Sequence, residues 1–154
     1  MIQKSSQMEK VVHHKKTTPL KKDKYFEAVG RRKTAVARVR LFPDKGASGL
    51  VDVTVNNKHL PAYFPLKKLQ NVVRSPFEAL SLKEYRVTAQ VKGGGINAQA
   101  EAIRLGIART LVVLNSIWRP RLKAPGYLRR DPRMVERKKY GLRKARRPQQ
   151  WRKR

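Results

Sequence analysis

The sequence predicts an α+β protein: a two-layer sandwich with elements in the order β-β-β-α-β-α, followed by a long basic C-terminal extension. Two kinds of periodicity predict the body. Apolar and polar residues alternate in three short segments, and apolar residues recur every three or four positions in two longer ones. The extension is predicted by charge, because 16 of the 38 Lys and Arg residues lie after Trp118. The length of 154 residues suits one domain with a modest core.

The chain opens with a leader, residues 1–24, that is rich in Lys, Ser, Gln and Thr and has little apolar periodicity. We expect it to be flexible. A transit peptide is the alternative, but such peptides are rich in Arg and poor in acids. This leader has no Arg and contains Glu9 and Asp23.

The first two predicted strands are Tyr25–Gly30 and Ala35–Phe42, with a turn at Gly30–Lys33 between them. The second strand alternates small apolar residues with residues that include Arg38 and Arg40. This period of two buries one face of the strand and leaves both arginines on the other. Together with the turn, the two arginines place five bases on one hairpin.

The middle of the chain predicts a third strand over Val51–Val55, a helix over Leu66–Val73 and a fourth strand over Tyr85–Val91. Short links indicate that the first three strands are antiparallel. Ser75–Glu78 reads as the start of a new helix, with Ser as N-cap, Pro at the first helical position and Glu completing a capping box. Gly93–Gly95 ends the fourth strand.

The longest periodic segment, Ile96–Trp118, predicts an amphipathic helix that packs on the sheet. Pro120 and Pro125 are expected to stop regular structure. Asp131 and the proline after it could cap a last short helix through Tyr140, which Gly141 would end. The predicted units are therefore a leader (1–24), a body (25–118) and an extended basic tail (119–154).

Charge indicates the class of partner. The formal net charge is +28, and half of it lies in residues 119–154. Charge of this density on so small a body favours binding to a polyanion and argues against small-molecule metabolism. Residues 142–154 would span about 43–47 Å if fully extended. Trp151 could stack on a base or ribose, or fill a protein crevice.

The sequence offers no catalytic, metal or cofactor site. The absence of Cys excludes disulfides and thiolate chemistry. The three histidines have no carboxylate pair or metal-ligand spacing beside them, so we predict neither an enzyme nor a cofactor. No apolar run is long enough to span a membrane.

The Gly93–Gly95 triplet has two interpretations. Its bare amides at a helix N-terminus can face a phosphate, together with Lys92. Alternatively, it is a tight turn that needs positive φ. Ile96-Asn97-Ala98 does not provide the Lys-Ser/Thr ending of a nucleotide-binding P-loop.

Several long motifs resemble one family. They are Ala28–Val39 (AVGRRKTAVARV), Val91–Gly95 (VKGGG), Gln99-Ala100 with Ala102–Arg109 (AIRLGIAR), and a run from Arg130–Arg133 (RDPR) through Val135–Lys139 (VERKK) to Gly141–Arg147 (GLRKARR). Over about residues 25–154 the chain resembles small-subunit ribosomal protein nine, the universal S-nine family, in its bacterial form. Two positions depart from the family pattern: Ala98 stands where Gly is common, and Arg152 where Ser is common.

The resemblance implies a fold like the second domain of ribosomal protein S-five and a place in the head of the small subunit of a cytoplasmic bacterial ribosome. The expected partners are the 3′ major domain of the small-subunit rRNA, the anticodon stem-loop of P-site tRNA and neighbouring head proteins, without homo-oligomerisation. The tRNA contacts are expected at Arg152, Lys153 and Arg154. The rRNA contacts are expected at Arg31, Arg32, Lys33, Arg38, Lys92, Gly93, Gly94, Gly95, Arg129, Arg130, Arg137, Lys138, Lys139, Arg143, Lys144, Arg146 and Arg147.

Two other functions are compatible with a basic α+β body. One is a protein subunit of an RNA-processing enzyme, which would not sediment with small subunits. The other is a DNA-compacting or membrane-active polycation, which would bind duplex DNA as tightly as rRNA.

Overall fold

A five-stranded sheet in the order β1-β2-β5-β3-β4 is the centre of the fold. The computed structural model describes residues 24–43 and 51–150. The strands are β1 (Phe26–Arg32), β2 (Ala35–Phe42), β3 (Asp52–Val55), β4 (Lys58–His59) and β5 (Arg86–Lys92). The helices are α1 (Leu60–Tyr63), α2 (Lys67–Leu80), α3 (Ile96–Leu114) and α4 (Arg119–Lys123), with a 3₁₀ turn at Ser116–Trp118. The α+β class is therefore confirmed.

Strands β1 and β2 form the predicted hairpin, but the turn is tighter than expected. Pairing runs from Phe26↔Leu41 to Arg32↔Ala35. Gly30, Arg31 and Arg32 thus belong to the strand, and the turn is Lys33-Thr34. Lys33 takes the left-handed conformation there, with φ 51°.

The third strand pairs differently from the prediction. β3 is hydrogen-bonded to β5, in parallel, rather than antiparallel to β2. β5 is antiparallel to β2 on its other side. The prediction of three successive antiparallel strands was wrong because α1 and α2 form a crossover that returns the chain beside β3. The two-residue strand β4, which pairs with β3, was not predicted.

Helix α2 is continuous where the sequence predicted an end and a new start. Pro76 lies inside it and cannot donate to the carbonyl of Val72. The hydroxyl of Ser75 donates to that carbonyl instead, at 2.9 Å. Ser75 therefore satisfies the acceptor that the proline leaves open, and it does not cap a second helix.

The core lies between one face of the sheet and the helices. It is built from apolar residues such as Val39, Leu41, Phe77 and Ile103. β1 and α3 approach closely because Gly30 of β1 lies against Gly106 of α3, and neither residue has a side chain. A Cβ on Gly30 would lie 1.9 Å from the Ala102 carbonyl oxygen.

The C-terminal half departs from prediction at three places. Ile96 is 57% exposed rather than buried. Pro120 does not stop regular structure, because it lies at the start of α4, and Leu122 of that helix is fully buried. Residues 131–139 are not helical. The domain boundaries after residue 24 and Trp118 stay predictions.

No helix within residues 24–43 and 51–150 is long and apolar enough to cross a membrane.

Candidate nucleic-acid interface

The face of the sheet opposite the core carries a set of basic side chains. Because side chains alternate across a strand, the residues between the buried ones of β1, β2 and β5 point away from the core. We call this surface the open face. Its bases are Arg31, Arg38, Arg40, Arg86 and Lys92.

The strand register places these bases in rows. Arg31 and Lys92 both pair with Val36, one on each side, so two exposed cations flank one apolar residue at the hairpin end of the sheet. In the next row Arg38 donates a hydrogen bond to the side-chain oxygen of Gln90. Arg31, Arg38 and Lys92 are all exposed. Of the expected contacts on the hairpin, Lys33 at the turn is exposed as well.

Two further arginines of the open face lie against aromatic rings. The guanidinium of Arg40 is 4.8 Å from the centre of the Tyr25 ring, and that of Arg86 is 4.5 Å from the Phe42 ring. Arg40 also donates to Glu27 at 2.7 Å, and this hydrogen bond raises the pKa of Arg40. Stacking on a ring fixes a guanidinium plane without neutralising its charge. Arg40 was one of the five bases expected on the hairpin, and the alternation in β2 placed it on this face; Arg86 was not among the expected contacts.

The glycine loop between β5 and α3 is a tight turn. Gly93 and Gly94 have φ of +72° and +66°. A Cβ on Gly93 would lie 2.7 Å from the Thr34 carbonyl oxygen, and one on Gly94 would lie 2.8 Å from the Ala35 Cβ. These two glycines are therefore explained by backbone conformation and by packing against the β1–β2 turn.

The third glycine has a different environment. Gly95 has an ordinary φ of −95°, and nothing lies within 4 Å of the position of its Cβ. It is the N-cap of α3, and no side chain caps the helix there. Lys92 beside the loop is exposed. The geometry leaves room for a phosphate at this end of α3.

A chain of hydrogen bonds that the sequence did not reveal holds the glycine loop. The side chain of Asn56 accepts from the Val91 amide at 2.9 Å and donates to the Val91 carbonyl at 3.0 Å. Tyr63 donates to Gln99 at 2.8 Å, and Gln99 donates to the Gly93 carbonyl at 3.1 Å. The only signal in the sequence was that an Asn follows a predicted strand. Asn is one of the few residues that tolerate a positive φ.

Arg32 differs from its neighbour Arg31 because it points to the helical side of the sheet. Its side chain is only 12% exposed. It donates to the carboxylate of Glu101 and to the Arg133 carbonyl at 2.8 Å, and it forms an ion pair with Asp131 at 2.9 Å. The structure thus places this expected rRNA contact among protein acceptors. The sequence analysis assigned no role to Glu101.

Asp131 binds a second arginine. Arg133 donates to its carboxylate from the backbone at 2.9 Å and from the side chain at 2.9–3.1 Å. These hydrogen bonds, with a smaller contribution from the charge of Arg32, hold the pKa of Asp131 well below its usual range. Arg104, stacked on Tyr127 at 5.4 Å, lines a neighbouring hollow with Arg129.

The C-terminal segment that follows Arg133 is basic and exposed, and part of it folds back on itself. Leu142 pairs with Pro148 as an isolated antiparallel bridge, and the Arg143 amide donates to the Arg147 carbonyl at 2.7 Å. Residues 142–148 therefore close a loop instead of extending. The expected contacts exposed on this segment and just before it are Arg129, Arg130, Arg137, Lys138, Lys139, Arg143, Lys144, Arg146 and Arg147.

One acid lies within this segment. Glu136 is paired with Lys139 at 2.7 Å and with Arg146 at 2.9 Å. Hydrogen bonds from Lys139 first and Arg146 second lower the pKa of Glu136. The acid therefore stays ionised and links the loop to the residues before it.

Some expectations lie outside the described residues. These are the three tRNA contacts Arg152, Lys153 and Arg154, the aromatic Trp151, and the leader up to residue 23. Within residues 24–43 and 51–150, no group of His, Asp and Glu is arranged to hold a metal ion.

Comparison with known proteins identifies relatives of the chain. Residues 30–154 match the family model described as "Ribosomal protein S9/S16". The chain is 48% identical over 130 residues to a protein named "Small ribosomal subunit protein uS9" from Amoebophilus asiaticus (strain 5a2). The matched region covers 84% of this chain and 98% of that relative.

Proposed function

Because this chain belongs to the ribosomal protein S9 family, we propose that it binds small-subunit rRNA by neutralising phosphates on its open face and C-terminal segment. Members of the family are structural proteins of the small ribosomal subunit. The chain is therefore a ribosomal constituent of bacterial type, located in the cytoplasmic ribosome, and it is not an enzyme. The nature of its RNA contacts is the subject of the proposal.

The observation that carries the proposal is the pairing of the acids on these two surfaces. Glu27 is bound by Arg40, Asp131 by Arg32 and Arg133, and Glu136 by Lys139 and Arg146. Many exposed bases remain, including Arg31, Lys92 and most of the C-terminal segment. The neutralised acids leave the remaining bases on these surfaces to meet phosphate with less competing negative charge.

Contacts of this kind provide affinity and position but little sequence information. Lysine and arginine side chains on phosphates release counterions, and they do not read base edges. We therefore propose that the rRNA is recognised by its folded shape in the 3′ major domain of the head.

The end of the chain has a separate proposed role. Arg152, Lys153 and Arg154 bind phosphates of the anticodon stem-loop of P-site tRNA, while the body contacts rRNA and neighbouring head proteins as a single copy. The support is the family resemblance together with the run of three bases at the end of the sequence.

The rRNA proposal is tested with a triple variant, Arg31→Gln, Arg38→Gln and Lys92→Gln, measured for affinity to the isolated 3′ major domain over a range of salt concentrations. The control removes three exposed charges from the helical layer and the loop after it: Lys67→Gln, Lys68→Gln and Lys83→Gln. Each lost phosphate contact makes the slope of log affinity against log salt shallower by roughly 0.7–0.9. We expect a loss of about two to three in slope for the first variant and little for the control. Equal slopes would contradict the assignment of the open face.

The tRNA proposal is tested by deleting Lys153 and Arg154 and reconstituting small subunits. We expect weaker P-site tRNA binding with nearly normal assembly. Unchanged tRNA affinity would refute the role of the chain end. Sedimentation with small subunits at low salt separates this function from that of an RNA-processing subunit.

A further inference from the structure

We propose that Arg32, Glu101 and Asp131 form a latch that fixes where the C-terminal segment leaves the body, and that the two acids are positioning residues for the RNA contacts beyond it. This inference rests on the proposed function of the segment. The latch includes one backbone group, the carbonyl of Arg133.

The latch joins three distant parts of the sequence through one guanidinium. Arg32 lies at the end of β1 and Glu101 in the second turn of α3, while Asp131 and Arg133 begin the C-terminal segment. The Nε of Arg32 donates to Glu101, Nη2 contacts Asp131 at 2.9 Å, and Nη1 donates to the Arg133 carbonyl at 2.8 Å. The planar fork of an arginine can hold three acceptors in fixed directions, which a lysine cannot do.

Burial distinguishes this cluster from the other ion pairs near the proposed RNA surface. The side chain of Arg32 is 12% exposed, whereas Arg40 is 36% exposed in its pair with Glu27 and Arg146 is 84% exposed in its pair with Glu136. Exposed pairs are weakened by water and salt. The carboxylates of Glu101 and Asp131 are 38% and 30% exposed, so the shielding comes from the Arg32 side. The contacts of Arg32 with Asp131 and with the Arg133 carbonyl are therefore partly shielded, and they can hold the segment at ionic strengths where surface pairs contribute little.

Because the molecule is so basic, the presence of Glu101 and Asp131 near an RNA-binding surface needs an explanation. The whole chain has 10 Asp and Glu residues against 38 Lys and Arg. An acid near an RNA-binding surface repels phosphate, so Glu101 and Asp131 weaken the interface if charge alone matters. The latch gives both a function that outweighs this repulsion, because each occupies a donor of Arg32.

The position of the latch determines what it can control. It lies where the segment leaves the body, and 21 residues follow Arg133. A fully extended chain of that length would span about 70 Å at roughly 3.3–3.6 Å per residue, and the loop at 142–148 makes the reach shorter. Their starting point therefore determines which phosphates they can reach. Holding residues 131–133 against β1 and α3 raises the effective concentration of the rest of the segment at its target.

The first test measures the latch itself in the full chain, free in solution. The sequence has no Cys, so Val113→Cys on α3 and Val135→Cys in the segment can carry spin labels at two exposed positions. Asp131→Asn, Glu101→Gln and Arg32→Lys are each compared with Glu78→Gln and Glu84→Gln, which remove exposed acids outside the latch and outside both proposed RNA-binding surfaces. We expect the three latch variants to broaden the distance distribution and the two controls to leave it narrow. A distribution that stays narrow in the latch variants, with an unchanged circular dichroism spectrum, overturns the proposal.

The second test measures P-site tRNA affinity of reconstituted subunits that carry the same variants. Removal of any acid raises the net charge by one, so charge alone predicts equal or tighter binding for every Asn or Gln variant. The latch predicts the opposite sign at two positions: Asp131→Asn and Glu101→Gln weaken binding by roughly tenfold or more, since tethering can contribute ~10²–10⁴ to affinity. Glu78→Gln and Glu84→Gln do not weaken it.

Deletion of Lys153 and Arg154 separates the two possible failures. If the deletion weakens tRNA binding and the latch variants do not, the positioning role is wrong. If the deletion has no effect, the tRNA assignment is wrong, and the latch is judged on the spin-label distances alone.

Discussion

Replacement of Gly30 by alanine tests the contact that positions β1, the strand that carries both Arg31 and Arg32. The added Cβ would lie 1.9 Å from the Ala102 carbonyl oxygen and 2.6 Å from the Gly106 amide nitrogen. The first of these distances is about 1.5 Å short of ordinary contact. Both neighbours are backbone atoms of α3, so no side-chain rotation can relieve the overlap.

The expected destabilisation follows from this geometry. Overpacking of a core costs about 1–3 kcal/mol when neighbouring side chains can adjust, and occasionally more. Here the strand and the helix must move apart along their contact, so we expect at least about 3 kcal/mol. Gly95→Ala is the matched control, because its Cβ meets no atom within 4 Å and its φ is ordinary. We expect a loss of about 1 kcal/mol at most there, because alanine is a poorer N-cap than glycine.

Equilibrium unfolding in urea, followed by circular dichroism, measures both variants. For a small protein the slope is about 1–3 kcal/mol per molar urea, so the midpoint of Gly30→Ala falls by roughly 1 M or more. If Gly30→Ala and Gly95→Ala unfold at the same urea concentration, the close approach of β1 and α3 is not what the structure indicates.

Two further predictions concern side-chain hydrogen bonds to backbone groups, and a third concerns the titration of Asp131. Ser75→Ala leaves the Val72 carbonyl without its hydroxyl donor and lowers the free energy of unfolding by about 0.5–1.5 kcal/mol, measured by urea unfolding; an unchanged value contradicts the role given to this hydroxyl. Asn56→Gly allows the positive φ but removes both hydrogen bonds to Val91, and we expect the free energy of unfolding to fall by about 1–3 kcal/mol in the same assay. A fall below about 0.5 kcal/mol, the size of an ordinary surface substitution, would show that water replaces both hydrogen bonds. The pKa of Asp131 is depressed in the folded protein, so its contribution to stability is present above the ordinary Asp value of about 3.9 and is lost as pH falls further. Unfolding at a series of pH values should therefore show the difference between wild type and Asp131→Asn shrinking below that pH, and a difference that stays constant would contradict the ion pairing.

Local patterns predicted the elements that depend on neighbouring residues. Alternation located β1, β2 and β5, and the spacing of apolar residues located α3. The pairing of β3 with β5 could not be predicted, because it depends on a crossover through α2 and not on the sequence of either strand. The continuity of α2 depends on one Ser75 hydroxyl, which the usual interpretation assigns to a cap.

The candidate site was predicted in part, for similar reasons. Alternation in β2 placed Arg38 on the open face, and composition identified the C-terminal segment as basic. Arg32 was treated like Arg31 because both were assigned to the turn; as members of β1 they point to opposite sides of the sheet. The expected helix after Asp131 does not form. Arg32 binds the Arg133 carbonyl, which an α-helix would use to accept from the amide of residue 137.

The central claim is that the chain binds rRNA through phosphate neutralisation, and the salt dependence of its affinity for the 3′ major domain tests that claim most directly. If about ten bases contact phosphates, the slope of log affinity against log salt lies between roughly −7 and −9. A duplex DNA of equal length should bind more weakly at every salt concentration, because the spacing of phosphates in folded rRNA is what the surface fits. A slope close to zero, or equal affinity for the two nucleic acids, would contradict the account.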